Sequence, residues 1–424
     1  MTGKPRKVNA PMPQTPPSSG VLRRASLDAV LGHAWDAEAF TASDVLEAVG
    51  ITRSTAIDVI DELVDRGLLS ELPNARAVGE YRKGRPARRF AFRADAAVVV
   101  GVDAGRANLT ATVADLRGAA LAVRHLAVDP QQDSPEQRRR DASAVVDGAL
   151  EDAGRSRTDV AAVCVGVPAP VDARGESPQH RDDFWRRMNP GFAELFAAWA
   201  PVVRVENDAS LAAVAEHSVG AAIGHDDFVT LLAGERLGAG VWVDGRLLHG
   251  AHGGAAEMVA FDHVRGVDGA WGLGYRAANL ARQARDAGAL PASSALRRLA
   301  ADEIDGKTVL SLASAGDEGA LLIARQVGET LAVVAGVLGS LFDSRLIVVC
   351  GAVAEGAGPL IEAALGALHS ELDLPAPDIV ASTLGADIVS VGAVRAAVDA
   401  ARAGILGLPA FAAPLQEARA GADR

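Results

Sequence analysis

The apolar positions of this chain change their spacing near residue 97, and that change divides the chain in two. Upstream they recur three and four residues apart. Leu22, Leu27, Val30 and Leu31 form the inward stripe of a helix over 21–34. Thr41, followed three residues later by Asp44, is spaced to satisfy the free amides of a second helix start; Ala42, Val45, Leu46 and Val49 line its inner face, and Gly50 ends it. A third start falls at Thr52 or Ser54, with Ala56, Val59, Ile60, Leu63 and Val64 inward and Gly67 at the close. Two amphipathic helices joined by about three or four residues around a glycine have the spacing of a helix-turn-helix. Leu68, Leu69 and Leu72 then open a strand, and Phe90 and Phe92 alternate with Arg89 and Arg93 in a returning one, which predicts a wing.

The side chains of this segment suit a nucleic acid. Between the wing strands lie Arg76, Arg82, Lys83, Arg85 and Arg88, with few carboxylates to pair with. Such a run fits phosphates and the negative potential of a narrow minor groove. Arg53, Ser54 and Thr55, at the start of the third helix, are placed to meet base edges and phosphates in the major groove. The plainer alternative is a helical hairpin with a solvated basic surface. Because helices, tight turn and basic wing agree, a double-stranded DNA operator is the expected partner. One short reading helix makes few base contacts, so a homodimer or a dimer of dimers is expected on two half-sites.

Charge qualifies this picture. The 424 residues carry a net charge of -12, which alone argues against DNA binding. However, residues 1–96 hold 14 Lys and Arg against 12 Asp and Glu, and the remainder holds 28 against 42. The acidic part should be repelled by DNA, leaving the amino-terminal segment to make the contact. Cys164 and Cys350 sit in apolar runs as buried, inert thiols, which fits a reducing cytoplasm. Leu331 to Phe342 is the most apolar stretch but, at about a dozen residues, falls short of a membrane span. Residues 1–20 have no apolar run of a signal peptide and are expected to be a disordered arm.

From Val98 onward strands alternate with helices, the mark of an α/β domain. Strands are predicted at 98–104, 109–113, 121–126, 160–167 and 202–205, and the theme returns at 228–232, 238–243, 246–248, 346–350 and 378–381. A plan of hairpin then helix, occurring twice, implies two related lobes with a cleft between them. The domains expected are a winged helix-turn-helix over 21–94, a two-lobed domain over 98–402 and a tail over 403–424.

Four segments carry a resemblance: Gly101-Val102-Asp103-Ala104-Gly105, Gly166-Val167-Pro168-Ala169-Pro170-Val171-Asp172, Glu206-Asn207-Asp208-Ala209 and Gly254-Ala255-Ala256-Glu257. In this order the chain resembles the ROK family of sugar kinases and transcriptional repressors. The preceding winged helix, with Lys83-Gly84-Arg85-Pro86, is similar to the repressor branch. The resemblance implies an actin-like, ribonuclease-H-like ATPase-type fold, with Asp208 where the family's catalytic base stands, and Asn207 and Glu257 as sugar-hydroxyl partners. It also exposes departures. Where family kinases follow the first Asp with Gly-Gly-Thr, this chain has Gly105-Arg106-Ala107; for Gly-Thr-Gly-Ile-Gly it has Gly234-Glu235-Arg236-Leu237-Gly238; Gly351-Ala352 stands for Gly-Gly. A long side chain and a carboxylate at phosphate loops oppose ATP binding. The family's zinc-binding His and Cys-x-Cys-Gly-x-x-Gly-Cys run are also missing, and His263 stands alone.

The expectation is therefore a cytoplasmic DNA-binding regulator, a repressor, with a catalytically inactive domain that senses a sugar or sugar phosphate through Asn207, Asp208, Glu257 and Arg106. No catalytic residue, cofactor, metal or membrane partner is expected. A sugar kinase with an accessory DNA-binding domain is the alternative.

Overall fold

A computed structural model describes residues 19–73, 87–129, 134–179, 182–368 and 375–412. The chain forms two units, one of residues 1–96 with 405–424 and one of residues 97–404. The arm before residue 19, the wing-tip cations Arg76, Arg82, Lys83 and Arg85, and the tail after residue 412 lie outside the described residues.

The first unit is built from α1 (Ser19–Asp36), β1 (Phe40–Thr41), α2 (Ala42–Val49), α3 (Arg53–Asp65), β2 (Leu69–Leu72) and β3 (Arg89–Phe92). The α2 start is a capping box: the Thr41 amide donates to Asp44 at 2.7 Å, and the Asp44 amide donates to Thr41 Oγ1 at 3.4 Å. Gly50 closes α2 at φ +73°, which costs a glycine nothing. Thr52 is the cap of α3. The strands pair antiparallel in the order β1-β3-β2, with the short β1 too brief to leave a pattern in the sequence. Phe90 and Phe92 point inward, and Phe92 stacks on Trp35 with centroids 4.3 Å apart. Leu22, expected inward, is instead 55% exposed, as is its neighbour Val21 at 58%.

The chain after Gly404 is not a free tail as far as it is described. Ile405 to Phe411 belongs with the first unit, and Arg66 Nη1 donates to the Phe411 carbonyl at 2.9 Å. Arg66 and Arg23 both hold Glu62; burial works against that carboxylate's charge, but their hydrogen bonds outweigh it and keep its pKa below the usual value. Arg66→Met should therefore release Phe411 and leave Glu62 short of a donor. The expected cost is about 1–3 kcal/mol in urea unfolding of this unit, with faster amide exchange in 405–412. Equal midpoints and equal exchange would remove the tie.

The second unit repeats one plan. β4 (Val98–Ala104), β5 (Asn108–Asp115) and β6 (Ala120–Ala127) form an antiparallel meander, and β7 (Val160–Val167) and β8 (Val203–Asn207) extend it in parallel, giving the order β6-β5-β4-β7-β8. α4 (Pro135–Asp152) covers one face. After two short helices, α5 (Phe184–Met188) and α6 (Phe192–Ala197), β8 leads straight into α7 (Asp208–Val219). The second sheet has the same layout: β9 (Phe228–Leu232), β10 (Gly238–Val243) and β11 (Arg246–Leu247) in a meander, then β12 (Leu346–Cys350) and β13 (Asp378–Ala381) in parallel, in the order β11-β10-β9-β12-β13. Its helices are α8 (Leu273–Asp286), α9 (Gly306–Ser314), α10 (Glu318–Phe342), α11 (Gly358–Ala367) and α12 (Ile388–Gly404).

The lobes are tied by exchange. α7 leaves the first sheet and packs on β9 and β10, whereas α12 leaves the second sheet and packs on β4 and β7; the two helices also pack on each other. Gly392 permits that approach, since a Cβ there would lie 2.0 Å from the Leu211 carbonyl oxygen. α10 is 25 residues long, twice the apolar run expected, and by length and composition it could cross a membrane. The helix continues through Arg325 and Glu329 because both fall on its exposed face, while Ile323, Val327, Leu331, Val334 and Leu338 are buried in the second lobe's core against α8, α9 and α11. Both cysteines are buried, and burial pushes both thiols up.

Candidate functional site

Two surfaces gather the residues singled out from the sequence. On the first unit, Arg53 and Ser54 are exposed at the first turn of α3, where free amides and the helix dipole favour an anion. Thr55 is half-buried and shares its hydroxyl with Thr52 Oγ1 at 2.8 Å, so it serves the cap. Ile57, overlooked in the sequence, is 38% exposed one turn beyond Arg53. Its signal was an apolar residue lying off the inward stripe. Further along the same helix Asp58 and Asp65 are exposed, so only the first turns have a sign compatible with phosphates. Arg88 corrects the expectation of unpaired wing cations: it donates to Asp61 at 2.9 Å and Glu71 at 2.8 Å, with its guanidinium 4.9 Å over the Phe90 ring. It thereby neutralises two acids of this unit.

On the second unit the site lies at the carboxyl ends of two strands of the first sheet. β4 carries Asp103 to its end, and β8 delivers Asn207 and Asp208. Asn207 caps α7: its Oδ1 accepts from the Ala209 and Ser210 amides at 3.0 and 3.1 Å, and its Nδ2 donates to the Ala169 carbonyl at 3.2 Å. One Nδ2 hydrogen remains for a ligand. Asn207 takes the cap, and Asp208 Oδ1 accepts from the adjacent Ala209 amide at 2.8 Å. Burial pushes Asp208 up to about 7 against that bond, and the charges of Asp103 and Glu257 add to the rise. Asp103 is likewise pushed up to about 7, by burial first and by Asp387, with a hydrogen bond from Gly105 and the charge of Arg138 opposing. Two carboxyls whose proton affinities are raised by burial and by neighbouring charge mark a candidate functional site.

Three supports for this site were not read from the sequence. Arg138, fully buried on α4, donates to the carbonyls of Ala104 at 2.8 Å and Gly105 at 3.1 Å, pinning the loop that follows Asp103. His249 lies 3.4 Å from Glu206, whose carboxylate raises the imidazole's pKa. Ala256 sits at φ +62°, a strained conformation for alanine, immediately before Glu257.

The loops after β4 and β9 meet. Arg106 Nη1, on the loop after β4, donates to Glu235 Oε1, on the loop after β9, at 2.8 Å. Arg106, expected to await an anion, already has one. Both side chains are more than half exposed, so the pair contributes little stability. Its consequence is one of occupancy and sign.

The zinc that the resemblance raised does not fit these residues. The segment after Glu257 buries Met258, Phe261, Val267, Ala270 and Leu273, and His263 is exposed. Among the described residues no group of three or more His, Cys, Asp or Glu side chains is placed to hold a metal ion.

The sequence pattern described as the ROK family matches residues 99–399, and the chain belongs to that family. The bifunctional enzyme NanE/NanK of Brucella melitensis is 34% identical over 228 residues; that match covers half of this chain and 40% of the relative, so the chain spans well under two thirds of the first curated proteins it matches. A glucokinase of Streptomyces coelicolor is 27% identical, covering 70% of this chain and 96% of its own. The DNA-binding transcriptional dual regulator NagC of Escherichia coli is 25% identical, covering 77% and 80%. In structure, a ROK family transcriptional regulator homologous to the Escherichia coli MLC protein superposes with a TM-score of 0.72 at 19% identity, covering 92% of this chain and 99% of its own. A Streptomyces griseus glucokinase with glucose and AMPPNP superposes with a TM-score of 0.58 at 28% identity, covering 71% and 99%.

Proposed function

We propose that this protein is a cytoplasmic DNA-binding transcriptional repressor of the ROK type. Its amino-terminal unit is a winged helix-turn-helix that grips an operator through Arg53, Ser54 and the wing, and its ROK domain binds a neutral sugar between the lobes without phosphorylating it. Asn207, Asp208 and Glu257 are the hydroxyl partners, and a homodimer places two reading helices on two half-sites. The observation that carries regulator over kinase is the Arg106–Glu235 pair. It joins the two loops that would otherwise receive a nucleotide's phosphates, and it leaves Glu235 where a triphosphate meets a like charge. The similarity of both chain length and fold to the MLC homologue, and the sequence similarity to NagC, support the same reading.

The kinase reading rests on Asp208, whose proton affinity near neutrality suits a general base. One experiment separates the two. The full chain is tested by mobility shift on the region upstream of its own gene, and by coupled ATP turnover with glucose, N-acetylglucosamine and N-acetylmannosamine. Salt-sensitive specific shifts that a sugar weakens by about 5- to 150-fold, with no turnover, are expected. Turnover abolished by Asp208→Asn, with shifts no tighter than on random DNA, would install the kinase instead.

A further inference from the structure

The loop between Glu257 and α8 holds its shape by means that need no metal. Five buried apolar side chains, Met258, Phe261, Val267, Ala270 and Leu273, close it from within. Its polar backbone is gathered by one side chain on the first turn of α8: Arg276 Nε donates to the Trp271 carbonyl at 3.0 Å, and Nη2 donates to the Gly269 carbonyl at 2.8 Å and to that of Val267. A planar guanidinium suits three converging carbonyls, because its donors diverge in one fixed fork. The loop is also stitched to the altered second phosphate loop. The Leu237 amide donates to the Ala270 carbonyl and the Gly272 amide to that of Glu235, each at 2.9 Å. A Cβ at Gly272 would lie 2.1 Å from the Gly234 oxygen, so only glycine permits the approach. Arg236 then lies 4.8 Å over the Trp271 ring, which stacks on Tyr275.

We propose that Arg276 and this apolar cluster replace the structural zinc of metal-binding ROK proteins, making Arg276 the positioning residue for Glu257 on one side of the loop and Glu235 on the other. The assignment of Glu257 as a ligand contact rests on the regulator reading above; the ordering of the loop by Arg276 does not. The full chain should carry less than about 0.1 zinc per chain, and 1,10-phenanthroline should leave amide exchange unchanged. Arg276→Met should speed exchange across 258–272 at least tenfold while leaving 42–65 unchanged. Arg276→Lys should recover part of the protection, since a single ammonium cannot serve all three carbonyls, and it decides the matter if the Met variant does not fold. Calorimetric affinity for N-acetylglucosamine or glucose should fall at least fivefold in Arg276→Met, and no further in a Glu257→Gln background, as it would if Arg276 acts through Glu257. Unchanged exchange in both Arg276 variants, or one zinc per chain whose removal loosens the loop, overturns the proposal. If neither sugar binds the unaltered protein, the sugar-sensing reading fails while the exchange result still decides the role of Arg276.

Discussion

Asp208→Asn is expected to stabilise the protein at pH 8 by an amount on the order of 4 kcal/mol, and by almost nothing near pH 4. The sign follows from the burial of the carboxyl. Asp208 takes up its proton at about 7 in the folded chain and at its ordinary value of 3.8 when unfolded. The folded state therefore binds the proton more tightly, and this carboxyl's contribution is fully present below about pH 4 and lost as pH rises toward 7. A tenfold difference in proton affinity is worth about 1.4 kcal/mol, which sets the size. Asparagine keeps the acceptor for the Ala209 amide and never ionises, so its advantage should open between pH 4 and 7 and then level off. Asp103 is raised by the same burial, and its charge adds to the rise at Asp208. Removing one charge eases the other, and an Asp103→Asn, Asp208→Asn double variant should gain less than twice the single effect. Urea midpoints at pH 5 and pH 8 measure this. Equal midpoints at both would mean the carboxyl is solvated, and the case for Asp208 as a site residue would weaken with it.

The backbone of the second unit was largely legible because strands of sheets covered by helices write themselves as apolar runs. Strands at 98–104, 160–167, 228–232, 238–243, 346–350 and 378–381 have the bounds the pattern gives. What the pattern hid was the way loops are held. Arg138, Arg276 and Arg66 each donate to backbone carbonyls of segments distant from their own turn, and no periodicity marks such a contact. Composition carried a faint clue: of the 42 basic residues only Lys4, Lys7, Lys83 and Lys307 are lysine. A chain that favours the forked donor so heavily is using it for geometry as well as charge. The Arg106–Glu235 pair was hidden for a different reason. Each residue was visible as a departure in its own loop, but only the fold brings positions 129 apart in sequence within 2.8 Å. That Asn207 is the cap of α7 is likewise seen only in the fold, where its Oδ1 accepts from the Ala209 and Ser210 amides.

Arg53→Ala is expected to weaken operator binding by about 5- to 150-fold, the range for losing a good base contact of roughly 1–3 kcal/mol, while leaving affinity for random DNA lower by far less. The exposed first turn of α3 is where its chemistry permits approach to DNA. Arg53 and Ser54 offer donors, Ile57 one turn on offers an exposed apolar face, and Asp58 and Asp65 beyond them repel phosphates. Ile57 has no polar group to satisfy, so the matching feature in a major groove is the methyl of thymine. Operators in which uracil replaces each thymine in turn should bind the unaltered protein more weakly at one position per half-site. Ile57→Ala should bind both forms of that operator equally. Arg88→Ala provides the contrast, because it uncovers Asp61 and Glu71 rather than removing a reader. Its binding should fall uniformly across sequences and grow worse at low salt relative to the unaltered protein, where unscreened acids repel most. A uniform loss in Arg53→Ala, or a sequence-dependent loss in Arg88→Ala, would exchange the roles of helix and wing.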